Sequence, residues 1–301
     1  MISEKIKVYI AGKDKQQDPE AIARVSGAAA GIGVRLADNI KRQVLPYEKK
    51  VREGVMLYPS SATKCPRQLA YQVLDFPVEP MSAATKLKFL VGDLIETAVL
   101  ALISAAMPVV DNNITIDIPI NGKPRRGRTD GRVHDLRWKN IELKSMSSYG
   151  FKMFKEEGVT DTWGYLGQAN VYMRAQLEQG LIDPPGAEIF IGIDRDSGDL
   201  YDIEVPYDEA YAKKADANFA AVESALEIKK LPNRPYELGA DGTLPLLCSY
   251  CQMKYSCWAI PGQRVAFDEA GEPVYSEDTK QRVIKFMTKG RTGFRPSWKV
   301  V

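Results

Sequence analysis

Histidine is nearly missing from this chain of 301 residues, which carries it only at His134. A histidine-rich metal site and an HNH-type active site are therefore excluded, and a Ser-His-Asp triad would depend on that one residue. Long apolar runs are also missing, because the longest (residues 98–110) is interrupted by Ser104 and is too short to span a bilayer. Charged residues interrupt the first fifteen positions, so no signal peptide is visible. These absences predict a cytoplasmic protein without a membrane partner.

The remaining composition is that of an ordinary globular chain, with 45% hydrophobic residues, 27% charged residues and a net charge of +2. We predict a polar, helical N-terminal extension over residues 1–55, a main domain over 56–260 and a basic C-terminal tail over 261–301. From Lys280 to the end the tail has seven basic residues and no acidic one. This charge suits a polyanionic partner, although simple solvation of a surface explains it equally well.

The order of predicted elements favours an α/β fold. Hydrophobic periodicity predicts a helix over residues 86–106 and strands over 114–120, 127–135 and 140–146. Two helices follow, then a strand hairpin over 188–193 and 200–205, and a helix over 207–230. Such an order is typical of a central mixed β-sheet flanked by helices.

The most informative motif is D-x11-E-x-K, formed by Asp130, Glu142 and Lys144. Glu142 and Lys144 are two positions apart on a predicted strand, so their side chains leave the same face. Together with a carboxylate from a neighbouring strand, they can hold a divalent metal and orient a water for phosphodiester hydrolysis. A solvated strand with an incidental charge pair fits this motif equally well when it is taken alone.

Two predicted helices add polar side chains to this motif. Gln168 and Tyr172 form Q-x-x-x-Y and share a helix face at i, i+4 spacing. Upstream, Glu96 lies within an apolar helical stripe (Phe89, Gly92, Val99, Leu100 and Ile103). A carboxylate in such a stripe needs a partner, for which a metal ion, Lys144 or an arginine are candidates; a Glu that reaches solvent is the alternative.

The cysteines form an early single residue, Cys65, and a late C-x2-C-x5-C cluster of Cys248, Cys251 and Cys257. Zinc sites usually consist of two local pairs, which this spacing does not provide. Iron–sulfur ligation and structural zinc are the two interpretations open at this point. Disulfides are not expected, because nothing in the sequence indicates secretion.

Taken in order, these motifs resemble the PD-(D/E)xK nuclease superfamily, and specifically its RecB-like exonuclease branch. The early cysteine, the helix acid, D…ExK, QxxxY and the late cysteines occur in the family's order within residues 59–258. Segments 60–67 and 248–258 are similar to the cysteine segments of CRISPR-associated RecB-like exonucleases and AddB-type nuclease domains. The family often has a histidine where this chain has Glu96.

The resemblance implies a restriction-endonuclease-like core with a helical subdomain tied by the cysteines, which would hold a structural 4Fe–4S cluster. It also implies that Asp130, Glu142 and the carbonyl of Leu143 hold Mg²⁺ or Mn²⁺. Glu96 would complete this set of ligands. Lys144 would orient or deprotonate the attacking water and offset developing negative charge.

The expected substrate is DNA, single- or double-stranded, attacked from its ends by a metal-dependent exonuclease. Gln168 and Tyr172 would contact the strand that is cut. Arg126, Arg128 and Arg132 bracket Asp130 and would attract phosphates. A recombination, helicase or CRISPR-adaptation protein is the expected class of protein partner.

Two other interpretations stay open at this stage. The first is a DNA-end-binding or scaffold protein that keeps the fold without catalysis, although the complete set of Asp130, Glu142 and Lys144 argues against it. The second is a zinc-stabilised nucleic-acid-binding protein in which D…ExK is incidental. Colour distinguishes the metals, because a 4Fe–4S protein is brown and a zinc protein is colourless.

Overall fold

The structure, a computed structural model, describes residues 1–11, 57–110, 115–239 and 244–259, isolated positions between 19 and 41, and short stretches from 262 to 300. Most of the predicted N-terminal extension therefore lies outside the described residues. The same holds for the side chains of the basic residues from Lys280 onwards, where only backbone strands are described.

The helices are α1 (Ile2–Ala11), α2 (Pro66–Val73), α3 (Ala83–Ala106), α4 (Ser148–Glu157), α5 (Tyr165–Glu178), α6 (Glu209–Glu227) and α7 (Leu246–Ser249). The strands are β1 (Val109–Val110), β2 (Thr115–Asp117), β3 (Arg126–Arg128), β4 (Gly131–Asp135), β5 (Arg137–Met146), β6 (Ala187–Asp194), β7 (Leu200–Pro206), β8 (Ala266–Phe267), β9 (Pro273–Val274), β10 (Val283–Gly290) and β11 (Gly293–Val300).

A five-stranded sheet in the order β1-β4-β5-β6-β7 forms the centre of the fold. β5 and β6 are parallel, whereas the other neighbours in this sheet are antiparallel. The parallel pair is joined by a crossover through α4 and α5, as parallel strands require. The predicted mixed sheet flanked by helices is confirmed.

Both faces of the sheet are covered, which explains why every residue of β6 is buried. On one face, Ile141 and Leu143 of β5 belong to a core that also includes Ile2 of α1 and Ile103 of α3. On the other face, Phe190 of β6 packs with residues of α4 and α5. The alternation of side chains along β5 therefore separates an apolar face from one that also carries Glu142 and Lys144.

Helix α3 is only partly covered by this core. Its second half supplies buried residues such as Val99 and Ile103, but Phe89 at the start of the predicted stripe is 51% exposed. Gly92 brings the helix close to β5, since an added Cβ there would lie 2.9 Å from the Ser145 hydroxyl oxygen. By length and composition, α3 is the described helix that could cross a membrane, and 39% of its most apolar window is buried within the protein.

The described residues fall into two compact units. The first contains the central sheet, and the second contains Lys64–Ser82 and the chain from Ala217 onwards, with all four cysteines. Within the second unit, Cys248 packs in a small core that includes Tyr255 and Trp258. The Tyr71 hydroxyl also donates to the carbonyl of Ser256 over 3.0 Å. The second unit therefore joins the segment around the early cysteine to the segment around the late ones.

The start of α5 is fixed by a close approach to Thr63. The helix follows Gly164, whose φ of +79° favours glycine, and the Thr63 hydroxyl donates to the Gly164 carbonyl over 3.2 Å. At Gly167 an added Cβ would lie 1.9 Å from the Thr63 methyl carbon. Glycine is thus required there for α5 to reach its position beside the sheet.

We expect Gly167→Ala to lower the free energy of unfolding by about 1–3 kcal/mol, because the methyl group overpacks against a β-branched side chain. Thr63→Ala in the same chain should recover part of the loss. Gly150→Ala is the matched control, since its Cβ would meet neighbours only at 3.5 Å or more. Urea unfolding measures all of these variants, and equal stability of Gly167→Ala and wild type would contradict the expectation.

Candidate active site

Glu142 and Lys144 leave β5 on the same face, as predicted, and the Lys144 ammonium donates directly to the Glu142 carboxylate. Burial opposes the charge on Lys144, but the carboxylates of Glu142 and Asp130 outweigh it and raise the lysine pKa above its ordinary value. Lys144 is therefore cationic at neutral pH. This charge state suits a positioning and electrostatic role better than the role of proton acceptor.

The acidic side chains lie along the edge of β5 that β4 leaves unpaired, after Ile141. Gly131 is the last β4 residue opposite β5, pairing with Ile141. Past that point Asp130 accepts a hydrogen bond from the Leu143 N–H, and Glu96 accepts one from the Ser145 N–H, each over 2.9 Å. Because the N–H and C=O of a strand residue point to the same edge, the Leu143 carbonyl faces this side too.

Burial and mutual repulsion perturb these carboxylates. Burial, and then the charge of Glu142, raise the pKa of Asp130 to about 7. Burial likewise raises the pKa of Glu96, although the Ser145 N–H and Lys144 oppose the change. Negative charge at this edge is therefore in excess of what the neighbouring ammonium compensates.

A further carboxylate, Glu188 on β6, was not predicted. It is 2% exposed, and its carboxylate accepts a hydrogen bond from the Asn140 amide over 2.7 Å. Asn140 in turn accepts one from Gln176 of α5 over 3.2 Å. Burial and the charge of Glu142 raise the pKa of Glu188 to about 8. The available sequence signal was an acid directly before the apolar run of β6, residues 189–193.

Helix α5 brings the predicted Q-x-x-x-Y residues to this face. The Gln168 amide lies 3.4 Å from the Glu142 carboxylate, within hydrogen-bonding range. Tyr165, which the sequence did not suggest, places its ring centroid 5.3 Å from the Lys144 nitrogen. Both contacts restrain the Glu142–Lys144 pair.

Tyr172 has a different environment from Gln168. It is 4% exposed, and an added Cβ at Gly127 would lie 2.4 Å from its hydroxyl oxygen. Burial and the charge of Glu142 raise its pKa, while the backbone N–H of Arg128 lowers it. Tyr172 therefore fastens β3 to α5, and its predicted contact with DNA stays a prediction.

The predicted phosphate-binding arginines divide into two kinds. Arg126 and Arg128 are exposed on β3, and Arg126 forms a 3.5 Å ion pair with the exposed Asp117. Arg132 is half-buried, donates to the Leu181 carbonyl and stands 5.5 Å from the Trp138 ring centroid. Arg126 and Arg128 are thus the ones open to a polyanion.

The hairpin of β2 and β3 is held firmly to α5. Arg174 donates to the Pro119 carbonyl over 3.0 Å and to both oxygens of Asp216. Asp216 also accepts from the N–H of Asn121 at the turn, over 2.8 Å. The exposed arginines therefore lie on a restrained arm that leads directly into Asp130.

The four cysteines are free thiols that lie within range of one another's charge in the second unit. Burial raises the pKa of Cys248 to about 11 and that of Cys251 to about 12. The Cys251 sulfur accepts the Met253 N–H over 3.4 Å, and the Trp258 side chain lowers the pKa of Cys248 by hydrogen bonding. Donors directed at sulfur are typical of thiolates that bind metal.

As they stand, the described side chains include no group of three or more His, Cys, Asp or Glu arranged to hold a metal ion. The donors nevertheless fit a hard divalent cation in kind. Asp130, Glu96 and the Leu143 carbonyl are oxygen donors at one edge of β5, and Glu142 adds a carboxylate from the face of the same strand; a cation would relieve the repulsion among the carboxylates. The cysteine thiols fit a soft metal centre in the same sense.

A scan against protein-family models and a search of the curated proteins each found no match. Among solved structures, SSO0001 is 17% identical with a TM-score of 0.45 and covers 75% of this chain and 95% of its own. An alkaline exonuclease from Laribacter hongkongensis, LHK-Exo, is 19% identical with a TM-score of 0.41, covering 58% and 91%. The same enzyme in complex with dAMP has a TM-score of 0.42. Similarities at this level do not establish a family.

The raised pKa of Asp130 predicts how stability depends on pH. The folded protein retains a proton on Asp130 that the unfolded chain loses near pH 4, so the free energy of unfolding should fall as pH rises towards about 7. Glu188 should extend this fall to about pH 8. Asp130→Asn should flatten it, and Mg²⁺ should stabilise wild type more at pH 8 than at pH 5.5.

Urea unfolding without divalent ions, repeated across this pH range, measures the effect. Asp135→Asn is the control, because Lys5 lowers the pKa of that β4 carboxyl and its loss should leave the fall in place. Stability that rises with pH through the range would contradict the assignment.

Proposed function

We propose that this chain is a metal-dependent nuclease that hydrolyses phosphodiester bonds of DNA, working from strand ends as an exonuclease. The observation that carries the proposal is the acidic edge of β5. There, Asp130 and Glu96 are fixed to the backbone of Leu143 and Ser145, beside the Glu142–Lys144 pair. Buried carboxylates with one ammonium are the groups that this chemistry requires.

Asp130, Glu142 and the Leu143 carbonyl would hold Mg²⁺ or Mn²⁺, with Glu96 at the same edge. Such an ion, when bound, supplies Lewis-acid polarisation of a phosphate oxygen and of a water. Lys144 keeps its proton and stabilises negative charge that develops on the phosphoryl oxygens. Gln168 and Tyr165 restrain Glu142 and Lys144 in the geometry that this role needs.

DNA is the proposed substrate because of the hairpin of β2 and β3. Arg126 and Arg128 are exposed on this restrained arm, only two to four positions before Asp130 in the chain. A phosphate backbone held by the arm would pass close to the acidic edge. Single- and double-stranded ends are both compatible with this geometry.

The four cysteines are proposed to hold a structural 4Fe–4S cluster, with zinc as the second choice. All four cysteines lie in one unit, with Cys248 buried and the other three half-buried, and hydrolysis needs no electron transfer. The role of the centre would be to join the segment around Cys65 to the segment around Cys257.

A catalytically inactive scaffold is the second candidate function, and it becomes the preferred one if cleavage is not observed.

We expect Asp130→Asn, Glu142→Gln and Lys144→Met each to lower DNA hydrolysis by about a hundredfold or more. Mn²⁺ binding, measured by calorimetry, should be lost in the two acid variants and retained in the lysine variant, since Lys144 is not a ligand. Lys139→Met is the matched control, because Lys139 is a lysine of the same strand that pairs with Glu204 over 2.6 Å.

End-labelled single- and double-stranded DNA and closed circular DNA serve as substrates, so that exonuclease and endonuclease modes are separated. Glu96→Gln tests the remaining carboxylate. Weakened Mn²⁺ binding would identify Glu96 as a metal ligand, and normal binding would leave it only as the acceptor of the Ser145 N–H. The nuclease proposal is overturned if wild-type protein, with metal bound at its cysteine centre, cleaves none of these substrates in the presence of Mg²⁺ or Mn²⁺.

The cysteine centre has its own test. Protein purified without oxygen should be brown and contain iron, and Cys251→Ala should lose the iron and melt at a lower temperature, because the centre joins distant chain segments. Ser249→Ala is the control, a neighbouring change that leaves every sulfur in place. A colourless protein containing zinc would replace the cluster with the second choice.

A further inference from the structure

Two buried arginine nitrogens beside the cysteines lack a partner. In the described part of the chain, Arg67 Nε and Arg234 Nε are buried side-chain donors without an acceptor. Both belong to the unit that contains the four cysteines. An unsatisfied buried donor is unfavourable, so its retention calls for an explanation.

Arg67 lies in the first turn of α2, two positions after Cys65. Its Nη1 donates to the Pro232 carbonyl over 2.7 Å, and its guanidinium carbon stands 5.5 Å from the Tyr71 ring centroid. These contacts fix the plane of the guanidinium and leave the Nε–H for another acceptor.

Arg234 is held by the late cysteine segment. Its Nη2 donates to the Cys257 carbonyl, and its guanidinium lies 4.4 Å from the ring centroid of the adjacent Trp258. Each arginine thus reaches a different part of the cysteine cluster.

A metal centre with four thiolate ligands would explain why two cations are held beside the cysteines. A centre of four thiolates around zinc or a 4Fe–4S core carries net negative charge, and burial without compensation is unfavourable. Guanidinium groups supply both charge and N–H donors in a fixed geometry. Hydrogen bonds to metal-bound sulfur also tune the metal and slow its loss.

We propose that Arg67 and Arg234 compensate the charge of the four-cysteine metal centre, whose sulfur would supply the acceptors that their Nε–H groups lack. This inference rests on the proposed metal centre and is independent of the nuclease chemistry. The two arginines are positioning residues, since they act through the thiolates and touch no substrate.

The test compares Arg67→Met and Arg234→Met with wild type in the full chain purified without oxygen. Methionine keeps an apolar side chain of similar reach and removes the charge and the donor. Metal content is measured first, and then the rate of metal loss to an excess of chelator. We expect each variant to lose metal about tenfold faster or more, in line with other changes around bound ligands.

If the metal is iron, the midpoint potential provides a second readout. Removing a nearby positive charge should disfavour the reduced cluster by about tenfold, a shift of about 59 mV to more negative potential. Arg67→Lys and Arg234→Lys keep the charge without the planar donor, so they should retain most of the potential while still losing metal faster. They also keep the test valid if a methionine variant does not fold.

Arg264→Met is the matched control. Arg264 likewise donates to backbone carbonyls, those of Leu74 and Asp75, and stands 4.9 Å from the Phe76 ring centroid. It should change neither metal loss nor potential. If wild type contains metal and every variant loses it at the wild-type rate, the inference is overturned and the metal centre is not. If wild type purified without oxygen contains neither iron nor zinc, the metal centre and the inference are both overturned.

Discussion

The backbone of β5 past Ile141 imposes the constraint on which the candidate site depends. β4 begins at Gly131, opposite Ile141, so β4 does not extend beside the N–H groups of Leu143 and Ser145, and these need other acceptors. Asp130 and Glu96 provide them from two different elements, a strand end and a helix. Satisfying the backbone thus concentrates carboxylates at one edge, and the excess negative charge follows from it.

The surrounding side chains keep that charge in place without neutralising it fully. Lys144 offsets Glu142, while Glu188 is tied into a buried amide chain through Asn140. Helix α5 approaches closely enough to restrain these groups only because Gly167 admits Thr63. A cation at the edge would then meet a preorganised set of oxygens, which is the condition for electrostatic catalysis.

Sequence alone predicts the parts of this arrangement that depend on local periodicity. The strand of Glu142 and Lys144, their common face, and the helices of Glu96 and Gln168 are all found close to the predicted bounds. It does not predict Glu188, the exposure of Phe89, or the attachment of Tyr172 to β3. Those features depend on which strand lies beside which and on where the sheet ends, and neither is encoded in spacing along the chain.

Compensation of polar groups by nearby donors is also seen in the unit that contains the cysteines. At the edge of β5, carboxylates are compensated by backbone N–H groups and one lysine; among the cysteines, the sulfurs have backbone and indole donors and two arginines nearby. Neutral thiols would not need those arginines, because an uncharged sulfur gains little from a guanidinium. If the cysteines bind a metal as proposed, the metal-bound thiolates would supply the acceptors that the two Nε–H groups lack.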